Sequence, residues 1–411
     1  MIPRLRLLLA AALLSSCSDD GTGTSATAGS SFTTAPGSTG STGSTTDPTT
    51  PTTGGTGSGS TSAEPTSTGE VSVTDATSGT TGSTDTTGST DTTDGTSSTT
   101  TTTGTTGTTD STGTTTGGPQ PLCAPKMPTR PAGDCAQIGV TIQPPYDQWY
   151  TCHDLGIMPD VPQEWGGIII DKDDPEILLA GGAANTAQGK LYAVSIARDE
   201  DCHILGYQNI PTVERAAAEY NDGGLTYHPD SHVLFLARWP VNELGQLKPG
   251  SMVTDKVIDL DPFGIASSPG GFTFVPPGFP GAGKLKAVSW SGGQFYTVSL
   301  APDGAGTYDI TGATYHTTIV GGPEAFVYIS DENPGFDVPS LLVAEWSAGN
   351  IAAYESDADG NPIPNTRKDF IIGLQGAESA HVDALSGDFL FATFAGDERL
   401  IAIRGFKPQP Q

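Results

Sequence analysis

Residues 119–411 are predicted to form an all-β domain, a ring of five four-stranded sheets of the β-propeller type, and three observations predict it. A short apolar run recurs after Gly-Gly or Glu at positions 166, 223, 270, 324 and 378, at intervals of 57, 47, 54 and 54 residues. Each opening is followed by further short β-branched and aromatic runs separated by turn residues, and no amphipathic helix interrupts them. The last repeat stops after three such runs, while a spare one stands at 149–156, just ahead of the first repeat, where a closing strand belongs.

The chain opens differently. Arg4 and Arg6 precede an apolar stretch, 7–14, too short to span a bilayer, which is the pattern of a signal peptide. Leu14-Ser15-Ser16-Cys17 then resembles the lipobox of bacterial lipoproteins, in which small residues let a peptidase reach the bond before a cysteine that takes the lipid. That resemblance implies that residues 1–17 end at Cys17 as the lipidated N-terminus, with the membrane as a partner through the anchor. By the same analogy, Ser18 after the cysteine points to an outer membrane rather than an inner one. The expected location is exported, at the outer membrane, cell surface or periplasm.

Residues 18–118 hold 79 Ser, Thr or Gly in 101 positions and no Lys, Arg, Trp or Tyr, so no core can form there. Such a segment cannot bury enough apolar surface to offset the entropy of ordering, and it is expected to be a disordered, acidic tether. Residues 119–411 hold all five Trp and are long enough to bury about three-quarters of their unfolded surface. Loss of the signal peptide ahead of Cys17 removes two of the 18 basic residues and none of the 46 acidic ones, leaving a charge of −30. That excess excludes nucleic acid, which needs a positive field, and a soluble monomer is expected.

Within each repeat the order is regular. Second runs lie at 176–180, 233–237, 284–288, 341–344 and 388–392, and end on Gly181-Gly182 or on Trp239, Trp290, Trp346 and Phe394. Third runs follow at 191–195, 294–299, 351–354 and 399–404, with only a faint one near Gln246, and fourth runs at 257–260, 307–310 and 369–373. The only helix-prone stretch, 216–220, is short. Six blades are the alternative, if the run at 138–142 belongs to a further degenerate blade. A two-sheet sandwich does not explain a period near 54.

Behind an export signal, Cys123, Cys135, Cys152 and Cys202 are an even set in an oxidising compartment and allow three pairings. Their spacing lacks Cys-x-x-Cys, so disulfides are favoured over zinc. The preferred pairing is Cys123 with Cys135 and Cys152 with Cys202, the latter pinning the closing strand to the first blade.

Repeat alignment also gathers candidate chemistry. Glu324 and Glu378 occupy the position held by Gly166, Gly223 and Gly270 in the other repeats, and Asn221 and Asp222 precede it in the second. Carboxylates and an amide converging on the mouth of a central tunnel suit Ca²⁺, which takes hard oxygen ligands. The region resembles the calcium-dependent lactonases of the gluconolactonase and regucalcin type, propellers whose central metal is held by Glu, Asn and Asp; the full ligand set of that family is not matched here. The bland reading is that each Glu caps backbone amides at a tight turn. Trp239, Trp290, Trp346 and Phe394 either fill the gaps between blades or present a surface for a carbohydrate or protein ligand.

Three motifs are set aside. Residues 278–284 match a phosphate loop in spacing, but Leu285 stands where Ser or Thr should hold Mg²⁺. Residues 357–361 lack the downstream Glu of an EF-hand and read as a turn. His381 is a lone histidine on an inner strand. The expected function is a lipid-anchored binding or scaffolding module; the competing class is a calcium-dependent hydrolase of lactonase type.

Overall fold

The computed structural model describes residues 123–267 and 269–409. The signal segment with Cys17, and the tether, lie outside them. Five antiparallel sheets follow one another around an axis, each starting at an innermost strand: Ile168–Ile170, Asn221–Tyr227, Pro269–Phe274, Pro323–Ile329 and Ala377–Val382, in blades 1 to 5. Inner strands of neighbouring blades pack against one another around the ring. The second strands are Ile177–Gly182, Leu234–Arg238, Leu285–Ser289, Ser340–Glu345 and Phe389–Thr393.

The ring closes as the sequence predicts. Thr151–Gly156 pairs antiparallel with Leu400–Arg404, placing His153 opposite Ala402, so both ends of the domain share blade 5. Gly133–Asp134 adds a further outer strand there. The run at 138–142 makes no sixth blade: Thr141–Ile142 pairs with Lys368–Ile372 as a fifth strand of blade 4. The helix-prone stretch also resolves differently, because Val213–Ala217 pairs with the first blade's third strand and the sheet's hydrogen bonds outweigh a weak local preference.

Aromatic side chains fill the spaces between sheets. Tyr150, from the closing segment, stacks on Phe406 with ring centroids 4.1 Å apart, and its hydroxyl donates to the Pro334 carbonyl at 2.7 Å. Phe406 in turn lies 4.2 Å from Phe389, so the N-terminal flank is held by packing as well as by the ladder.

The preferred disulfide pairing is corrected. Cys123 joins Cys202, and Cys135 joins Cys152. The cause is the path of the flank: the Lys126 amide donates to the Arg198 carbonyl and the Thr129 amide to the Tyr207 carbonyl, so this segment runs along blade 1 and brings Cys123 to it. Cys135 sits in a short 3₁₀ turn, Cys135–Ile138, beside the closing strand that carries Cys152. The bridges span 79 and 17 residues. Chain entropy then predicts that Ser substitution of both cysteines costs about 4–5 kcal/mol for the first bridge and about 3 kcal/mol for the second, as read from denaturant midpoints.

Candidate metal centre

The site is built by irregularities in the inner strands. Ladder register breaks between Pro323 and Ala325, between Ala377 and Ser379, and between Pro269 and Gly271. In blade 2 it breaks opposite 222–224, between Leu236 and Arg238. A bulge leaves one residue out of the pairing and re-aims its side chain. Here the re-aimed residues are Glu324 and Glu378, and Asp222 at the corresponding place in blade 2. The structure brings these three carboxylates together, with an oxygen of each within 4.8 Å of the others.

Two glycines make the room. A Cβ at Gly270 would lie 2.8 Å from Glu324 Oε2, and one at Gly181 only 2.1 Å from Asn221 Oδ1. The Gly at the Glu position in blade 3 therefore receives its neighbour's carboxylate.

All four groups are buried: Asn221 is 0% exposed, Asp222 3%, Glu324 6% and Glu378 2%. Four of their oxygens, Asn221 Oδ1, Asp222 Oδ2, Glu324 Oε2 and Glu378 Oε1, have no hydrogen-bond partner. Asn221 is oriented by its own amide nitrogen, which donates to the Ala218 carbonyl at 2.9 Å and leaves the oxygen beside Gly166 and Gly181. With its amide turned so that nitrogen faces the cluster, Asn185 donates to Asp222 Oδ1 at 3.2 Å. None of the three carboxylates has an ion pair with a basic side chain among the described residues.

Burial is the first cause of the electrostatics. It pushes the Glu324 and Glu378 carboxyls well above the usual range, and neighbouring carboxylates push them further; Asp222 is raised too, with hydrogen bonds to Glu378, Gly223 and Asn185 opposing. Three buried carboxylates in such contact cannot all stay ionised alone, since each uncompensated charge costs several kcal/mol. Protons or a cation must neutralise them. Glu324 Oε2 and Glu378 Oε1 cap no backbone amide.

One contributor escapes sequence reasoning. Glu398 caps the Glu164 amide at 2.6 Å through one oxygen while its other has no partner, and its charge adds to the elevation at Glu378. It lies in the last blade's loop between its second and third strands, and the corresponding loops at 183–189, 239–242, 290–293 and 346–349 hold no acid.

The four aromatics stand one strand further out at the same end of the blades. Trp239, Trp346 and Phe394 each donate a backbone N–H to the residue ahead of, or near, an inner-strand start: Tyr220, Gly322 and Gly376. Trp290 and Trp346 meet edge to face at 5.8 Å across adjacent blades. All four are half-buried. Of the motifs set aside, 357–361 is a turn closed by Asp357, whose Oδ1 accepts from the Asp359 and Asn361 amides.

Fold and site together define a five-bladed propeller with a buried acidic centre. No protein-family model and no curated protein matches the chain. Among solved structures it is similar to an auxiliary nutrient binding protein from Bacteroides ovatus, at 12% identity over 64% of this chain and 76% of that one, TM-score 0.36. It is also similar to a carbohydrate-active enzyme of family AA12 from Trichoderma reesei, at 8% identity over 69% and 100%, TM-score 0.38. A 6-phosphogluconolactonase-like protein from Bacteroides uniformis matches at 15% identity over 63% and 75%, TM-score 0.33. None of these bears on the chemistry of the cluster.

Proposed function

We propose that the protein is an exported, lipid-anchored binding module whose propeller is fastened at its centre by one Ca²⁺, held by Asp222, Glu324 and Glu378 with the Asn221 carbonyl. The observation that carries the reading is the trio of buried carboxylates from three different blades, an oxygen of each within 4.8 Å of the others and one oxygen of each without a hydrogen-bond partner. Oxygen-only donors and a formal charge of −3 suit a hard cation, and ligands 2.3–2.6 Å from Ca²⁺ can stand up to about 5 Å apart. Backbone carbonyls or water complete the shell.

The hydrolase alternative needs a coordination position that a substrate carbonyl can reach. The burial of all four ligands favours holding the ion over turnover. For the described residues, no helix is long and apolar enough to cross a membrane; the anchor at Cys17 is part of the proposal and is supported by its lipobox-like sequence.

The test is thermal unfolding of the full chain in EDTA and in 1 mM CaCl₂. At about 100 times the dissociation constant, ligand binding adds about 2.7 kcal/mol, a rise of roughly 4–5 °C in Tm for a domain this size. An unchanged Tm, with no heat on calorimetric titration, would leave a proton-sharing cluster instead. Lactone hydrolysis by the Ca²⁺-loaded chain would favour the alternative.

A further inference from the structure

At the opposite end of the inner strands from the carboxylates lies a cavity of about 470 Å³. All five inner strands contribute to its wall, through Ile170, Tyr227, Phe274, Val327 and Val382, so the lining is mainly apolar. Gln409 completes it between blades 5 and 4, donating to the Tyr328 carbonyl at 2.7 Å and accepting from the Ser330 amide. The volume falls within the range of small-molecule sites.

One polar side chain faces this space without a partner. His381 is only 7% exposed and lines the cavity, and its imidazole hydrogen-bonds to no described residue. Burial pulls its imidazole down to about 4, so at neutral pH it is uncharged and offers one donor and one acceptor nitrogen. The charged groups around it already have partners in the protein. Asp383 is clamped by Arg198, Lys172 pairs with Asp173, and Asp171 accepts from the Asp173 and Asp174 amides. An anion would find no free cation among these groups and would meet the acidic domain's field, and the mainly apolar wall penalises the desolvation of any charged ligand.

We propose that this cavity binds a neutral, mainly apolar small molecule carrying one hydrogen-bonding group that meets His381. The site is separate from the cation centre and does not depend on it.

The probe is N-phenyl-1-naphthylamine, an uncharged aromatic amine with one N–H, whose fluorescence rises in apolar surroundings. The full chain is expected to enhance it saturably, one site per chain, equally in EDTA and in Ca²⁺. Ala380→Trp, on an inner strand at the wall, should lower affinity at least about tenfold by filling the space. His381→Phe, which keeps the volume and removes the nitrogens, should lower it by about tenfold, the worth of one hydrogen bond. Should Ala380→Trp fail to fold, Leu385→Trp at the exposed rim carries the same expectation. An absent or unsaturable enhancement, or one that the Trp variants leave unchanged, overturns the site; unchanged affinity in His381→Phe overturns the role given to the imidazole.

Discussion

Replacing Glu378 by Gln is expected to raise the melting temperature in EDTA and to abolish the rise on adding Ca²⁺, two effects of opposite sign from one change. Without a cation, Glu378 is a buried acid beside Glu324 and Asp222, and the neutral amide relieves that repulsion. With a cation, the same substitution deletes one of three ligand charges. The Ca²⁺-dependent shift should fall from roughly 4–5 °C to within about 1 °C, and Asp222→Asn should do the same. A purely structural carboxylate would move both melting curves the same way.

The linked pH dependence has a definite sign. Folded carboxyls raised above their unfolded values bind protons that the unfolded chain has released, so their contribution is present at acid pH and lost as pH rises through the folded values. The EDTA-treated chain should therefore lose stability as pH rises from the ordinary carboxyl range near 4 through about 7, where Asp222 titrates. Ca²⁺ replaces those protons and should remove the decline, while its apparent affinity rises with pH.

Asp383→Ala is expected to cost about 3–5 kcal/mol, because it strands a buried cation. Arg198 Nη1 and Nη2 donate to the two Asp383 oxygens at 2.6 and 3.0 Å, and the pair is almost fully buried. Arg198 belongs to blade 1 and Asp383 follows the inner strand of blade 5, so the bond spans the seam where the ring closes. Its other donors are fixed on the Pro175 and Cys202 carbonyls, so the guanidinium cannot swing out to water without losing them. Urea unfolding should show the loss in midpoint with little change in slope. Replacing both partners at once, Arg198→Met with Asp383→Leu, should recover most of it, since an apolar pair leaves no unpaired charge.

The parts of this molecule legible in sequence are those that repetition exposes. Gly166, Gly223, Gly270, Glu324 and Glu378 mark the same place in five strands, and that equivalence alone brought the two glutamates and Asp222 to one locus. The bulges that aim them were not legible, because a two-against-one register depends on the partner strand rather than on local residues. Disulfide connectivity failed for a related reason. Cys123 is nearer Cys135 in sequence, yet hydrogen bonds from Lys126 and Thr129 carry it along blade 1 to Cys202. The third strand of blade 2, Glu243–Leu247, was faint because Gly245 and Gln246 interrupt the apolar pattern: Gly245 packs against Leu236, and Gln246 satisfies the backbone of Tyr308. The cavity around His381 left no trace, since the strand ends Asp171, His228, Val275, Ile329 and Asp383 share no chemistry.

A crystal structure of the full chain grown with Ca²⁺, with anomalous diffraction recorded at a long wavelength, tests the central claim most directly. A single strong anomalous peak is expected, bonded to Asp222, Glu324, Glu378 and the Asn221 oxygen at about 2.3–2.6 Å. Carboxyl groups found bonded to one another through shared protons, with no peak between them, would contradict it.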